Sequence, residues 1–458
     1  VNIVEEIRLQ NHGEQSAARS GGSAVDFNSL FAAVDEIALV LSSHPVFQVE
    51  GIPRIGVRFP NGLGYIAVAL AVLQSGACFV PIPDELTDYE RACLTNDTAL
   101  HGLIQASDAG IPLPLDLGHA EVVPCKTPPP AFPVADFEAL NPAFIRFSSG
   151  TTGSSKGVVL SHESLLERIL AANRGLKLQA GEHVLWTLPM AHHFAVTIVL
   201  YLYHGVTTVL EDSHRPEEIY RAARESKAQL LYGSPFHFAQ LAACPEAGPL
   251  PHLRLAISTA SALTSEVACS FKKKFNLPLT QAYGIIEVGL PILNQDHPGE
   301  HPDALGQPLP DYEVQVKDGE LFLKGPGMFD AYLVPWQPRK DDWFATGDLV
   351  EIHDGTITMK GRRKSVINVA GMKVFPEEIE RVLSQHPAIV ESRVFAERHP
   401  ALGSFPAAEI VVAENETPPT IKELRYFCGE TLAGYKIPMQ VRPVEKIPRT
   451  ASGKIKRH

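Results

Sequence analysis

Residues 148–157 read SSGTTGSSKG. Ten consecutive positions carry three glycines, six hydroxyl side chains and one lysine, Lys156. The segment before it, Ala143-Phe144-Ile145-Arg146-Phe147, is rich in aromatic and β-branched residues and predicts a strand. Residues 157–160 predict a second strand. Ser161 then suits a helix N-cap before HESLLERILAANR, where Leu165, Leu166, Ile169 and Leu170 share one apolar face. The stretch is therefore a loop between two strands. Glycines let backbone approach a ligand, amide and hydroxyl groups donate to an anion, and Lys156 adds positive charge. That chemistry suits a polyphosphate. The G-x-x-x-x-G-K-[ST] pattern does not fit, because Ser155 and Gly157 stand where Gly and Ser/Thr should. No G-x-G-x-x-G is present here either. The competing reading, a flexible Gly/Ser linker, suits poorly a position between two apolar strands.

The surrounding chain has 458 residues, 45% of them apolar, and a formal net charge of −12. That length predicts roughly two to four domains, and the acidity argues against broad nucleic-acid binding. The six cysteines form no C-x-x-C pair, as expected of reduced thiols and a cytoplasmic protein. The charged N-terminus predicts no signal peptide. YIAVALAVLQSGACFVPIP is too short for a bilayer span and predicts a buried helix followed by a strand.

Strands and helices alternate outward from the loop. Helices are predicted at 25–42, 65–74 and 85–96, with strands at 54–59 and 78–81 and in HGLIQA. The alternation resumes after residue 180 through HVLWTL, a helix after Pro189, TTVL, RPEEIYRAARESK, AQLLYG, LRLAIS, TSEVACSFKKKF and LTQAYG. This predicts an α/β fold with a parallel sheet. EVQVKDGELFLKG and LVEIHDGTITMKG predict hairpins with D-G turns. A small α+β unit follows Lys364.

Other positions carry chemistry more weakly. Glu287 in AYGIIEVG ends a predicted strand and could hold Mg²⁺, although a solvated Glu is the plainer reading. Asp348 in FATGDLVEI could bind a ribose diol or cap a turn. GRRK (361–364) is a cationic cluster or a protected sheet edge. Lys454 lies in PRTASGKIKR near the chain end. His192 and His193 lack further ligands at metal spacing.

Taken in order, SSGTTGSSKG, YGIIE, TGD, GRRK and PRTASGKIKR resemble the acyl-adenylate-forming superfamily, which includes acyl-CoA synthetases, peptide-synthetase adenylation domains and luciferase-like AMP-binding enzymes. RIGVRFPNG and LQSGACFVPIP extend the resemblance over nearly the whole chain. It implies a large N-terminal ATP- and acid-binding domain (1–363) of parallel and mixed sheets with helices and a distorted β-barrel region. A small mobile α+β C-terminal domain (364–458) follows. It implies a carboxylic acid–thiol ligase using ATP and Mg²⁺, with CoA or a carrier-protein phosphopantetheine as acceptor. By resemblance, Ser148, Ser149, Gly150, Thr151, Thr152, Gly153, Ser154 and Lys156 hold phosphates. Ala260, Ser261, Ala262, Tyr283 and Gly284 surround adenine, and Asp348 and Arg362 take the ribose. Glu287 binds Mg²⁺. Lys454 bridges the α-phosphate and the carboxylate, and His192 is grouped with these catalytic residues. Lys364 is the hinge, and Gly371 lies at the thiol channel.

Three departures stand out. Ile286 occupies the place of a phosphate-contacting Thr. Asn368 stands where luciferase-like members often carry Lys. Ala282 replaces a Gly that floors the acyl pocket. The AHHF stretch resembles both aryl-acid and fatty acyl enzymes, so His193, Phe194, Phe236, Phe238 and Ala282 are expected to line an acyl pocket. It lacks the Asp that would meet an α-amine. A fatty or other apolar acid is the leading expectation, with an aryl acid second and a non-catalytic nucleotide or acyl binder third. No carrier sequence follows His458, so the acceptor is expected to be CoA or a separate carrier protein.

Overall fold

A computed structural model describes residues 1–11, 13–147, 156–369, 372–399, 403–414, 416–449 and 455. The chain forms two compact units. The first comprises Val1–Pro302, Pro308–Glu313 and Lys324–Asp342; the second comprises Asp303–Gln307, Val314–Leu323 and Trp343–His458.

Two nine-stranded sheets organise the first unit. In one, Leu279–Ile285, Leu255–Ser258, Leu230–Gly233, His183–Trp186, Thr207–Leu210 and Ser16–Ser20 run parallel in that order. Their near-continuous burial is what parallel strands covered on both faces require. In the other, Cys78–Pro81, Arg54–Arg58 and Gly102–Ser107 are parallel. The predicted strands flanking the 148–157 loop are present as Pro142–Phe147 and Gly157–Ser161. They pair antiparallel, with Arg146 opposite Val158. A two-residue strand, Ala331–Tyr332, joins the outer side of Gly157–Ser161, placing Tyr332 opposite Val158. Helix His162–Leu176 follows, and the Ser161 side chain caps it by accepting from the Ser164 N–H.

The apolar segment at 65–74 lies within helix Leu63–Gln74, buried from Tyr65 to Leu73, ahead of strand Cys78–Pro81. Among the described residues, no helix is long and apolar enough to cross a membrane. The single helix expected after Pro189 is instead a succession. Met190–His193 is α-helical, Phe194–Ile198 forms a π-helical turn and Val199–Tyr203 resumes the α-helix.

The second unit holds most of a four-stranded sheet, Glu313–Lys317, Glu320–Lys324, Phe344–His353 and Thr356–Arg362, where a distorted barrel was expected. Both D-G turns occur. Asp318 and Gly319 (φ +50° and +78°) and Asp354 and Gly355 (φ +49° and +77°) take the doubly left-handed backbone that a tight hairpin needs. A five-stranded sheet follows, its long hairpin made by Ile389–His399 and Gly403–Val412. Helices Pro376–Leu383 and Ile421–Gly429 share with it a core that includes Ile379, Leu383, Val394, Ile410 and Leu424. The divide expected at 363/364 falls inside this unit. The hairpin ending at Arg362 belongs to the same unit as the C-terminal residues, and Gly361 lies against Phe375.

Candidate active site

The expected phosphate contacts at Ser148, Ser149, Gly150, Thr151, Thr152, Gly153 and Ser154 lie outside the described residues, as do Gly371 and Lys454. The far end of the loop is described. Lys156 Nζ sits 4.4 Å from the centroid of the Tyr332 ring, a cation–π contact. The Tyr332 hydroxyl donates to Glu287 Oε1 at 3.2 Å. One aromatic side chain thereby joins the lysine of the first motif to the acid of the second. Burial, reinforced by the Glu287 charge, pushes the Tyr332 hydroxyl pKa upward, so it stays a neutral donor.

Glu287 is fixed through its backbone. Its carbonyl accepts from Phe329 N–H at 2.8 Å. The preceding carbonyl, of Ile286, accepts from Arg168 Nη1 at 3.1 Å, and Arg168 also grips the Gly327 carbonyl through Nε at 2.9 Å. Gly327 N–H in turn donates to Glu167. Helix His162–Leu176 thus clamps the turn carrying Glu287. Burial pulls the Arg168 pKa down to about 10, with Tyr312, Asp330 and Glu287 acting in the opposite direction. Arg168 and Tyr332 were not singled out from sequence. A helix arginine and a tyrosine in AYLVP give no local signal.

The proposed adenine residues gather at the end of the parallel strands. Tyr283 is buried in Leu279–Ile285, and the ladder to Gly289–Leu293 slips between Tyr283 and Ile285, at Gly284. Such a bulge re-aims neighbouring side chains. A Cβ at Gly284 would meet the Gly289 carbonyl at 3.0 Å. Ala260 has φ +72°, a left-handed conformation costly for a residue with a Cβ. Its neighbours hold it there. Thr259 N–H donates to the Gly233 carbonyl at 3.0 Å, and Leu263 N–H to Gln281 Oε1 at 2.7 Å. Ala260, Ser261 and Ala262 are thereby held at one strand-end edge, where open α/β sheets bind ligands.

In the second unit, Asp348 is fully buried, and Arg362 Nε donates to its Oδ1 at 2.8 Å. Ladder register explains the pairing, since the two residues are directly opposed. Lys364 is exposed in a short 3₁₀ turn.

The expected acyl wall divides. His192 Nε2 lies 2.5 Å from Glu85 Oε1. Against the upward pull of burial, that bond helps hold Glu85 below the usual carboxylate range. His193 meets Trp186 edge-on at 5.5 Å, and Trp186 stacks on Tyr232 at 4.9 Å. Phe194 is buried against Tyr65 and Phe79, and Ala282 is buried too. Phe236 and Phe238 do not share a surface. Phe236 is 55% exposed, whereas Phe238 is fully buried edge-on to Phe271. Two positions apart on helix Pro235–Ala243, they point different ways. Phe238 is a core residue rather than a pocket wall.

Comparisons with known proteins bear on the family and the fold. The "AMP-binding enzyme" family matches residues 6–333, and the "AMP-binding enzyme C-terminal domain" matches residues 378–454. The 2-succinylbenzoate–CoA ligase of Listeria monocytogenes serotype 4b (strain F2365) is 26% identical over 98% of this chain and 97% of its own. The feruloyl-CoA synthase of an Amycolatopsis species is 26% identical over 99% and 96%. In structure, ATP-bound MatB from Rhodopseudomonas palustris superposes with a TM-score of 0.86 at 22% identity, covering 99% of this chain and 97% of MatB.

Proposed function

The chain belongs to the AMP-binding enzyme family, and on that premise we propose that it is an acid–thiol ligase. It joins a carboxylic acid to ATP as an acyl-adenylate, releases pyrophosphate and transfers the acyl group to a thiol. The observation that carries this reading is the Lys156–Tyr332–Glu287 chain at the end of the 148–157 loop.

A carboxylate oxygen attacks the α-phosphorus, and the bond to the pyrophosphate oxygen breaks. Two anions must meet, so positive charge and oriented donors dominate catalysis. In this reading the 148–155 amides and hydroxyls and Lys156 hold the β- and γ-phosphates. Tyr283, Gly284 and residues 260–262 seat adenine, Asp348 and Arg362 the ribose. Lys454 bridges α-phosphate and carboxylate. Glu287 suits a divalent cation. It is a half-buried hard carboxylate whose Oε1 is engaged by Tyr332, while Oε2 has no hydrogen bond among the described residues. Bound there, Mg²⁺ would neutralise phosphate charge. The Lys364 turn would let the C-terminal segment exchange Lys454 for the thiol channel at Gly371.

The acid has an apolar body flanked by His193, Phe194 and Ala282, with His192 nearby. The names of the two relatives now favour an aryl acid over the fatty acid first expected, and the Trp186–Tyr232–His193 cluster suits an aromatic ring. CoA is the proposed acceptor, a carrier-protein thiol the alternative. Incubation with ATP, Mg²⁺ and a panel of aryl and fatty acids, with and without CoA, tests this by pyrophosphate release and mass spectrometry. An acyl-AMP without CoA and an acyl-CoA with it are expected. Nucleotide binding without pyrophosphate release for any acid would leave only a binder.

A further inference from the structure

Arg146 stands in the strand Pro142–Phe147, immediately before the phosphate loop. Strand alternation puts it on the face of Phe144, opposite Ile145 and Phe147. Phe144 packs on Phe79 at 5.5 Å, and Phe79 packs on Phe194 at 5.4 Å and Tyr65 at 6.2 Å. Arg146 therefore extends on the side of the sheet that carries Phe194, next in sequence to His193. Among the described residues its Nε, sealed from solvent, has no hydrogen-bond partner, and the guanidinium makes no ion pair. The Tyr65 hydroxyl, in the same cluster, is also buried without a partner among the described residues. Glu287 and Tyr65 are the ionisable groups that act on Arg146. Burial lowers the Arg146 pKa to about 10, so it remains a cation at neutral pH.

A guanidinium Nε sealed from solvent without an acceptor is costly, and so is a buried hydroxyl without a partner. One oxoanion would satisfy both, and the guanidinium fork matches a carboxylate in two-point geometry. The phosphates have their own lysine and hydroxyls in the loop, whereas Arg146 faces the aromatic side where an apolar acid would lie. We infer that Arg146, with the Tyr65 hydroxyl beside it, receives the carboxylate of the acid to be activated. This rests on the acid–thiol ligase reading, which assigns neither residue.

The test compares wild type, Arg146→Met and Tyr65→Phe in acid-dependent pyrophosphate exchange, thermal unfolding and equilibrium dialysis without ATP. The dialysis probes are benzoate and octanoate against benzamide and octanamide. Arg146→Met should raise the acid KM roughly tenfold or more, with the ATP KM within about twofold. Its Tm should not fall, because a sealed donor without an acceptor has been removed. Tyr65→Phe, which keeps the ring, should raise the acid KM by about three- to tenfold. Wild type should retain carboxylates over amides, and Arg146→Met should not. An unchanged acid KM in both variants, an effect confined to ATP, or a lower Tm with both KM values intact would overturn the inference. Wild type that exchanges pyrophosphate with no acid would sink the ligase reading instead, and the dialysis would still decide whether Arg146 reads a carboxylate.

Discussion

Tyr332 serves two motifs with different parts of one side chain, its ring face under Lys156 and its hydroxyl on Glu287. Tyr332→Phe keeps the face and removes the donor. A hydrogen bond to a charged group contributes about 1.5–3 kcal/mol, so kcat/KM for ATP should fall by roughly tenfold or more, most visibly in a Mg²⁺ titration of pyrophosphate exchange. Wild-type behaviour across that titration would remove Tyr332 from the site. Ile286 is a milder case. Its carbonyl is already committed to Arg168, so the backbone holding Glu287 does not depend on its side chain. Ile286→Thr should leave adenylation intact or raise it, whereas a collapse would show that the turn is built differently. Glu287 and Lys156 were singled out from sequence because each sits in a turn-rich motif. Tyr332 and Arg168 were not, because their partners come from distant segments and no local pattern encodes that contact.

Helix Pro235–Ala243 shows the same limit for an element. Its aromatic run suggested one wall, yet the helical turn sends Phe238 into the core and leaves Phe236 outside. Phe238→Ala should cost about 3–5 kcal/mol of stability and leave the acid KM of the folded protein unchanged, as denaturant melts and steady-state kinetics would show. Elements with strong local signals were legible. Ser161 caps its helix, and both D-G hairpins form, because cap and turn chemistry act within a few residues. The π-helical turn at Phe194–Ile198 carries no such signature. At the start of helix His162–Leu176, buried His162 accepts the Ile3 N–H through Nδ1 at 3.1 Å. Burial pushes its pKa down to about 4, and Glu163 opposes this. The folded value lies below the unfolded one, so this contribution is present above about pH 6.5 and is lost as pH falls toward 4, by ~3 kcal/mol at full protonation. The urea midpoint should therefore drop between pH 7 and 4.5, and His162→Asn should flatten part of that drop.

Across the whole molecule, the two half-reactions should separate genetically. Lys454→Ala should reduce adenylation by roughly a hundredfold or more while still passing acyl groups from supplied acyl-AMP to CoA. Equal loss of both steps would remove Lys454 from its proposed role. The large α/β organisation was legible from alternating strands and helices, but the division into units was not. Residues 303–307 and 314–323 belong with the C-terminal unit although they precede the end of the first. The pairing of Ala331–Tyr332 with Gly157–Ser161 is non-local in the same way. During synthesis, strand Gly157–Ser161 leaves the ribosome long before the segment that covers its outer edge. Until then the nascent chain carries an open strand next in sequence to residues 148–155, a template for mispairing with a neighbouring polypeptide. Truncations ending before Ala331 should therefore aggregate more than those ending after Pro338.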